Sequence, residues 1–130
     1  MDADSHATQR ANDVYWTWPN IHQGAGEIEV RRYFEGMLPW PIELELWTIP
    51  VGASEGSHVH DHTDPDGYVG TRELYLILEG TALVTLGDHL SELGPGDAFL
   101  AGPLVERGVE NIGDTPLRIA IVNDPALHER

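Results

Sequence analysis

The sequence predicts an all-β chain folded as one sandwich or barrel. Short segments with a two-residue apolar period follow one another from Glu27 to Val122. Turn residues interrupt them every eight to twelve positions, and no stretch of ten or more residues carries a helical period. Fourteen glycines and nine prolines supply those turns. A length of 130 residues fits a single domain with its own core.

Residues 1–13 are polar, small and aperiodic, and read as a mobile tail; residues 14–124 read as the barrel and 125–130 as a C-terminal tail. Val14–Ile21 holds Tyr15, Trp16 and Trp18, an aromatic cluster expected to pack on the barrel or on a second subunit. Glu27–Phe34 alternates, with Ile28 and Val30 on one face. Pro41–Ile49 alternates more cleanly, and its reading takes Ile42, Leu44 and Leu46 inward and Glu43, Glu45 and Trp47 outward. The opposite register would place carboxylates in the interior. Trp40 and Trp47 then fall at a pocket rim or a subunit interface.

Thr71–Leu78 and Thr81–Leu86 form a hairpin about Glu79-Gly80, and the apolar run Leu74–Leu78 is expected to be buried on both faces. Gly94-Pro95-Gly96-Asp97 is a tight turn before the short strand Ala98–Leu100. Val105–Asn111 and Leu117–Val122 complete the set.

The formal net charge is −15, from 22 acidic and 7 basic residues, all of the latter Arg. Such a chain repels nucleic-acid phosphate and anionic membrane surfaces, so neither is expected as a partner. No apolar run approaches a membrane span, and MDADSHATQR lacks the apolar stretch of a secretory leader, which reads as cytoplasmic. Cysteine is absent. Any metal must therefore be held by imidazole and carboxylate, which suits iron, zinc, nickel, manganese or copper.

The most informative stretch is Gly52-Ala-Ser-Glu-Gly-Ser-His58-Val-His60-Asp-His62. Side chains two apart on a strand share a face, with Cα atoms roughly 6–7 Å apart, so His58, His60 and His62 converge if the strand continues. Alone, His-x-His needs no metal on a solvated strand. Its flanks add weight: Gly52 precedes His58 by six positions, and Glu73 precedes Gly80 by seven.

This spacing resembles the first signature of the cupin superfamily. Gly94-Pro95-Gly96-Asp97, Pro103 and Asn111–Arg118 resemble the second. The resemblance covers roughly residues 40 to 123 and implies a double-stranded β-helix, or jelly-roll, barrel. It implies one divalent transition metal on His58, His60 and Glu73. Two imidazoles and one carboxylate on a face are also the ligand set of non-haem iron oxygenases.

Two features depart from the family pattern. Twelve residues, Asp61 to Arg72, separate His60 from Glu73 where three or four are usual. The insert reads either as a lid beside the site or as a passive surface excursion. Its acids lack the terminal Glu of a calcium loop. Secondly, Arg107 stands where the family places a further His, and a guanidinium has no lone pair to ligate. The site then has three protein ligands, or His62 completes it, or Glu106 does so through a bulge. Arg107 itself either pairs on the surface with Glu106, Glu110 or Asp114, or faces the lumen with Val109 and Asn111 to bind a substrate carboxylate or enolate. His6, His22 and His128 read as surface residues, and His89 as part of an exposed turn.

Tyr75 shares a face with Glu73, where its phenol either orients a substrate or acts as an acid, or is a satisfied core group. Trp47, Tyr75 and Arg107 are the expected substrate-pocket residues, with Tyr75 and Arg107 as catalytic candidates. No nucleophilic triad, phosphate loop or dinucleotide fingerprint is visible. The resemblance implies a metal-dependent enzyme on a small organic molecule, of oxygenase, isomerase or polyketide-cyclase type, or else a binding module without turnover. A homodimer is expected, with Val14–Trp18 covering a sheet edge of its partner.

Overall fold

The computed structural model describes residues 2–61 and 70–125. Among these residues ten strands carry the fold: β1 (Tyr15–Pro19), β2 (Glu27–Tyr33), β3 (Glu43–Ile49), β4 (Ser54–His58), β5 (Arg72–Glu79), β6 (Ala82–Leu86), β7 (His89–Leu93), β8 (Ala98–Ala101), β9 (Arg107–Asn111) and β10 (Leu117–Asp124). A 3₁₀ turn at Ile21–Gln23 lies between β1 and β2. All strand pairs are antiparallel. One sheet runs β1-β2-β3-β10-β5-β8 and the other β4-β9-β6-β7. This is a jelly-roll barrel in a single domain, as the apolar period and turn spacing predict. No helix among the described residues is long and apolar enough to cross a membrane.

The core is the inner face of both sheets. Ile28, Val30, Ile49, Tyr75, Ile77, Val84, Val109, Leu117, Ile119 and Ile121 are all essentially inaccessible. They are the alternate residues of β2, β3, β5, β6, β9 and β10, so the two-residue period does the sorting. The β5–β6 hairpin turns at Gly80, with φ +92; a Cβ there would sit 3.0 Å from the Leu117 Cα. The Gly94–Asp97 turn is closed by Gly94 N–H donating to the Asp97 carboxylate at 2.9 Å. Asn111 joins three segments: its amide donates to the carbonyls of Ile49 and Thr115, and its side-chain oxygen accepts from Gly113 N–H, each at 2.9 Å.

Three expectations are corrected here. First, β3 takes the register opposite to the one expected. Glu45, Trp47 and Ile49 point inward, while Leu44 and Leu46 are only half-buried on the outer face. Glu45 is tolerated inside because Arg32, on the inner face of neighbouring β2, donates to it at 2.7 Å. Second, β5 is buried on one face only, leaving Leu74 and Leu78 exposed. Third, His89 opens strand β7, paired with Leu86, rather than lying in a turn. As the barrel alternative expects, β1 pairs with β2, Trp16 opposite Val30, and packs Trp16 and Trp18 on the core, while its other edge bounds the sheet.

In the N-terminal segment, Gln9 donates to the Arg32 carbonyl and accepts from Phe34 N–H, each at 2.8 Å.

Candidate metal centre

Strand β4 builds the site. It pairs with β9 through Ser54↔Glu110, Glu55↔Val109 and His58↔Arg107, with a bulge between Glu55 and His58. Strict alternation would send Glu55 and His58 to opposite faces. The extra residue of the bulge brings both to the lumen, as bulges do beside functional sites. Past the end of β4, His60 is held by its N–H donating to the Pro103 carbonyl at 2.8 Å. The His58 and His60 rings meet edge to face, 4.8 Å between centroids.

Glu73 arrives from β5 in the opposite sheet and is buried, its Oε1 lying 2.8 Å from His60 Nε2. His58, His60 and Glu73 each present a ligand atom within 4.8 Å of the others. The three residues that the resemblance implies are therefore brought together despite the long insert.

The state of His58 tests whether this group suits a cation. Its Nδ1 lies 2.8 Å from the Gly56 carbonyl. A carbonyl only accepts, so Nδ1 carries the proton and Nε2 keeps its lone pair. That Nε2 is buried with no hydrogen-bond partner, on a side chain 9% exposed. Burial, reinforced by neighbouring His22, lowers the His58 pKa to about 3, so the ring stays neutral. A buried lone pair left without a donor is costly, and a divalent cation satisfies it. The carbonyl behind Nδ1 also fixes ring orientation, the usual support for a metal-bound imidazole. The residues fit a metal.

Arg107 is fully buried on the inner face of β9, as the lumen reading expects. It does not pair with Glu106, Glu110 or Asp114; its guanidinium donates to the Gly102 carbonyl and lies 3.5 Å from Glu73 Oε1. Glu106 instead accepts from Ser57 Oγ at 2.8 Å on the exposed side. Tyr75 is fully buried, stacked on Phe99, and its hydroxyl donates to Glu55 at 2.8 Å. Burial and then Glu55 push its pKa well up. Trp47 lines a cavity of about 20 Å³ with Trp18, His22, Glu45, His60 and Glu73. His62 and most of the 61–72 insert lie outside the described residues, as does His128.

Three residues of the site escaped sequence reasoning. Glu55 sits inside the Gly52–His58 stretch but at odd spacing from His58, and only the bulge reveals it. Burial, then the nearby Glu73, raises its pKa well above the usual carboxylate range. Arg32 lies in phase with Ile28 and Val30, a cue that was available. His22, expected on the surface, stacks on His58 with centroids 3.4 Å apart. Its sequence neighbourhood carries no signal for that.

A jelly roll with imidazoles and a carboxylate converging in its lumen defines a class: small β-barrels with groups able to hold a metal ion. The chain belongs to the cupin family, whose Cupin domain model matches residues 45–123. An uncharacterised protein of Methanocaldococcus jannaschii is 34% identical over 77 residues, covering 59% of this chain and 55% of that protein. The chain thus matches about half the length of this relative. A Thermotoga maritima protein described as a predicted oxalate decarboxylase superposes with TM-score 0.73 at 22% identity, over 91% of this chain and 97% of the other. A cupin 2 conserved barrel domain protein of Salinispora arenicola gives 0.67 at 17% identity, over 95% and 91%. KdgF of a Halomonas species gives 0.58 at 19%, over 75% and 78%. At these identities the structural likeness speaks for the fold.

Proposed function

We propose that this cupin holds one divalent transition metal with His58, His60 and Glu73 and acts as a metal-dependent enzyme on a small organic molecule. The observation that carries the reading is the orphaned, buried His58 Nε2, grouped with the His60 imidazole of the same segment and the Glu73 carboxylate from the opposite sheet. When bound, such an ion supplies Lewis acidity toward a carbonyl or, as iron, oxygen chemistry. The remaining roles belong to the chain. Arg107 is a positioning residue that holds Glu73 and offers no exposed face to a substrate. Tyr75, bonded to Glu55 and enclosed, positions that acid. Trp47 and Trp18 form the apolar wall beside His60.

The reaction type stays within the oxygenase, isomerase and cyclase classes. An alternative is a non-catalytic cupin that binds a small ligand. The lumen favours it in one respect: about 20 Å³ beside His60 and Glu73 has room for a single water, so an organic molecule must displace part of the wall. Elemental analysis of untagged protein tests the first claim. About one equivalent of metal in the parent chain, lost in His60→Ala, supports it, and absence of metal after reconstitution removes it. Oxygen uptake on adding phenols, diketones or thiols to the loaded protein then separates oxygenase from binder.

We further propose a homodimer, formed through the outer face of the six-stranded sheet rather than through β1. There Ile42, Leu74, Leu100 and Val122 line an open groove of about 420 Å³, and Leu100 is 71% exposed. An apolar face of this kind favours a covering partner.

A further inference from the structure

We propose that Asn123 makes the barrel selective for small molecules that place a hydroxyl group beside His60 and Glu73, its Oδ1 accepting the hydroxyl proton. The proposal rests on the metal reading above and narrows the class of molecule that the same site takes.

The inward face of β10 is apolar at Leu117, Ile119 and Ile121 and changes character at Asn123, which is 6% exposed. A buried amide costs free energy unless its polar atoms are bonded. Asn111, the other buried asparagine of the inner faces, meets that demand at both ends of its amide. Asn123 meets it at one end. Its Nδ2 faces the carboxylates of Glu43 and Glu45, 3.5 Å from Oε1 of each. Turning the amide over would set Oδ1 against those two acceptors, so their charge fixes its orientation. Oδ1 is left buried with no hydrogen-bond partner.

Position gives this acceptor its use. Asn123 is paired with Glu73 across β10 and β5, so the two side chains stand next to each other on the inner wall. Both line the cavity of about 20 Å³, together with His60, Trp18 and Trp47. A space of that size admits one non-hydrogen atom with its protons. An atom placed in it lies beside two of the metal-binding side chains and beside Asn123 at once. Two donors of the lining are turned to Glu45: Trp47 Nε1 at 3.0 Å and Arg32 Nε at 2.7 Å. Asn123 Oδ1 is an acceptor still to be satisfied, so the matching occupant donates. A hydroxyl fills the space and donates. A methyl group fills it and leaves Oδ1 unpaired, and a carboxylate oxygen sets a further acceptor against Asn123 and the lumen glutamates.

The test compares two neutral ketones with equal numbers of non-hydrogen atoms. Hydroxyacetone carries a hydroxyl where butanone carries a methyl group. The full chain is loaded with Co(II), uptake is followed by visible absorption, and binding of each ketone is read from the paramagnetic relaxation of its methyl protons. The parent should bind hydroxyacetone at least ~10-fold more tightly than butanone, because a site holding an unpaired buried acceptor discriminates against the analogue that lacks the donor. Asn123→Leu, close in size and without an acceptor, should take up Co(II) as the parent does and bind the two ketones within about 2-fold of each other. Asn123→Ala, which removes the acceptor without adding bulk, should do the same. A Co(II)-loaded parent that does not prefer hydroxyacetone overturns the proposal without need of a variant. A preference that survives in Asn123→Leu or Asn123→Ala overturns it as well. A parent that takes up no Co(II) sinks the metal reading and this proposal with it, whereas uptake without discrimination removes Asn123 alone.

Discussion

Replacing Arg107 by Met tests the charge arrangement behind the metal group. The side chain is wholly buried, so a flexible apolar chain of similar length keeps much of the packing. What disappears is the cation 3.5 Å from Glu73 Oε1. Removing one partner of a buried ion pair leaves the other charge uncompensated, at about 3–5 kcal/mol. Unfolding entropy is about 2.1 cal/mol/K per residue, or ~0.27 kcal/mol/K for a domain of this size. A deficit near 3 kcal/mol then lowers the melting temperature of the metal-free protein by roughly 10 °C. A divalent ion on Glu73 supplies the missing positive charge, so saturating Zn(II) should recover more than half of that drop. Thermal melts followed by circular dichroism, with chelator and with Zn(II), give both numbers. A metal-free variant melting within about 2 °C of the parent refutes the compensation argument, as does a deficit of equal size with and without metal.

Three further outcomes are expected. His58 is held neutral by burial, with its pKa lowered to about 3 from the ordinary 6.5 of an imidazole. Its contribution to metal-free stability is therefore whole above pH 6.5 and is lost as pH falls toward 3. Buried Glu55 and Glu45, with raised values, act in the opposite sense. Between pH 7 and 5 the parent should lose about 2 kcal/mol relative to His58→Asn in urea unfolding, and parallel profiles for the two would contradict this. Gly56→Ala puts a Cβ 1.9 Å from the His22 carbonyl oxygen. It should dislodge the turn and expose Ile21, costing about 2 kcal/mol or more by the same unfolding assay, and a neutral result would deny the close approach its importance. Leu100→Glu, on the apolar groove, should shift the mass measured by light scattering at micromolar concentration from dimer to monomer; a monomeric parent ends the dimer proposal.

The fold could be read from the sequence because alternation and turn residues are local signals, and β2, β5 and β10 sort their side chains by them. The clustering of His58, His60 and Glu73 could be anticipated because two residues share a face and the resemblance to the cupin signature, carried by the spacing to Gly80, implies the third. The failures have a common cause. Glu55, Arg32 and the register of β3 are decided by polar partners across the lumen, which no local period encodes. On β3, Leu44 and Leu46 look like the buried set until Arg32 is known to wait inside for Glu45. On β4, one bulge reverses the phase between Glu55 and His58.

These misread residues together explain why the lumen suits a cation. Among the described residues, the inner faces hold three carboxyl groups, Glu45, Glu55 and Glu73, and two guanidinium groups, Arg32 and Arg107. Arg32 pairs with Glu45 at 2.6 Å, and Arg107 lies beside Glu73. Glu55 accepts from the Tyr75 phenol and lies 3.8 Å from His58 Nε2, and burial first and Glu73 next strongly oppose its ionisation, more than Tyr75 and Arg107 offset. The same surplus acid faces a neutral His58 whose Nε2 lacks a donor. A divalent ion relieves both at once: it accepts the lone pair and favours the ionised form of Glu55. An anionic group placed there would instead add to the repulsion. On the metal reading proposed above, a ligand carboxylate is expected to bind more readily to the metal-loaded barrel than to the metal-free one.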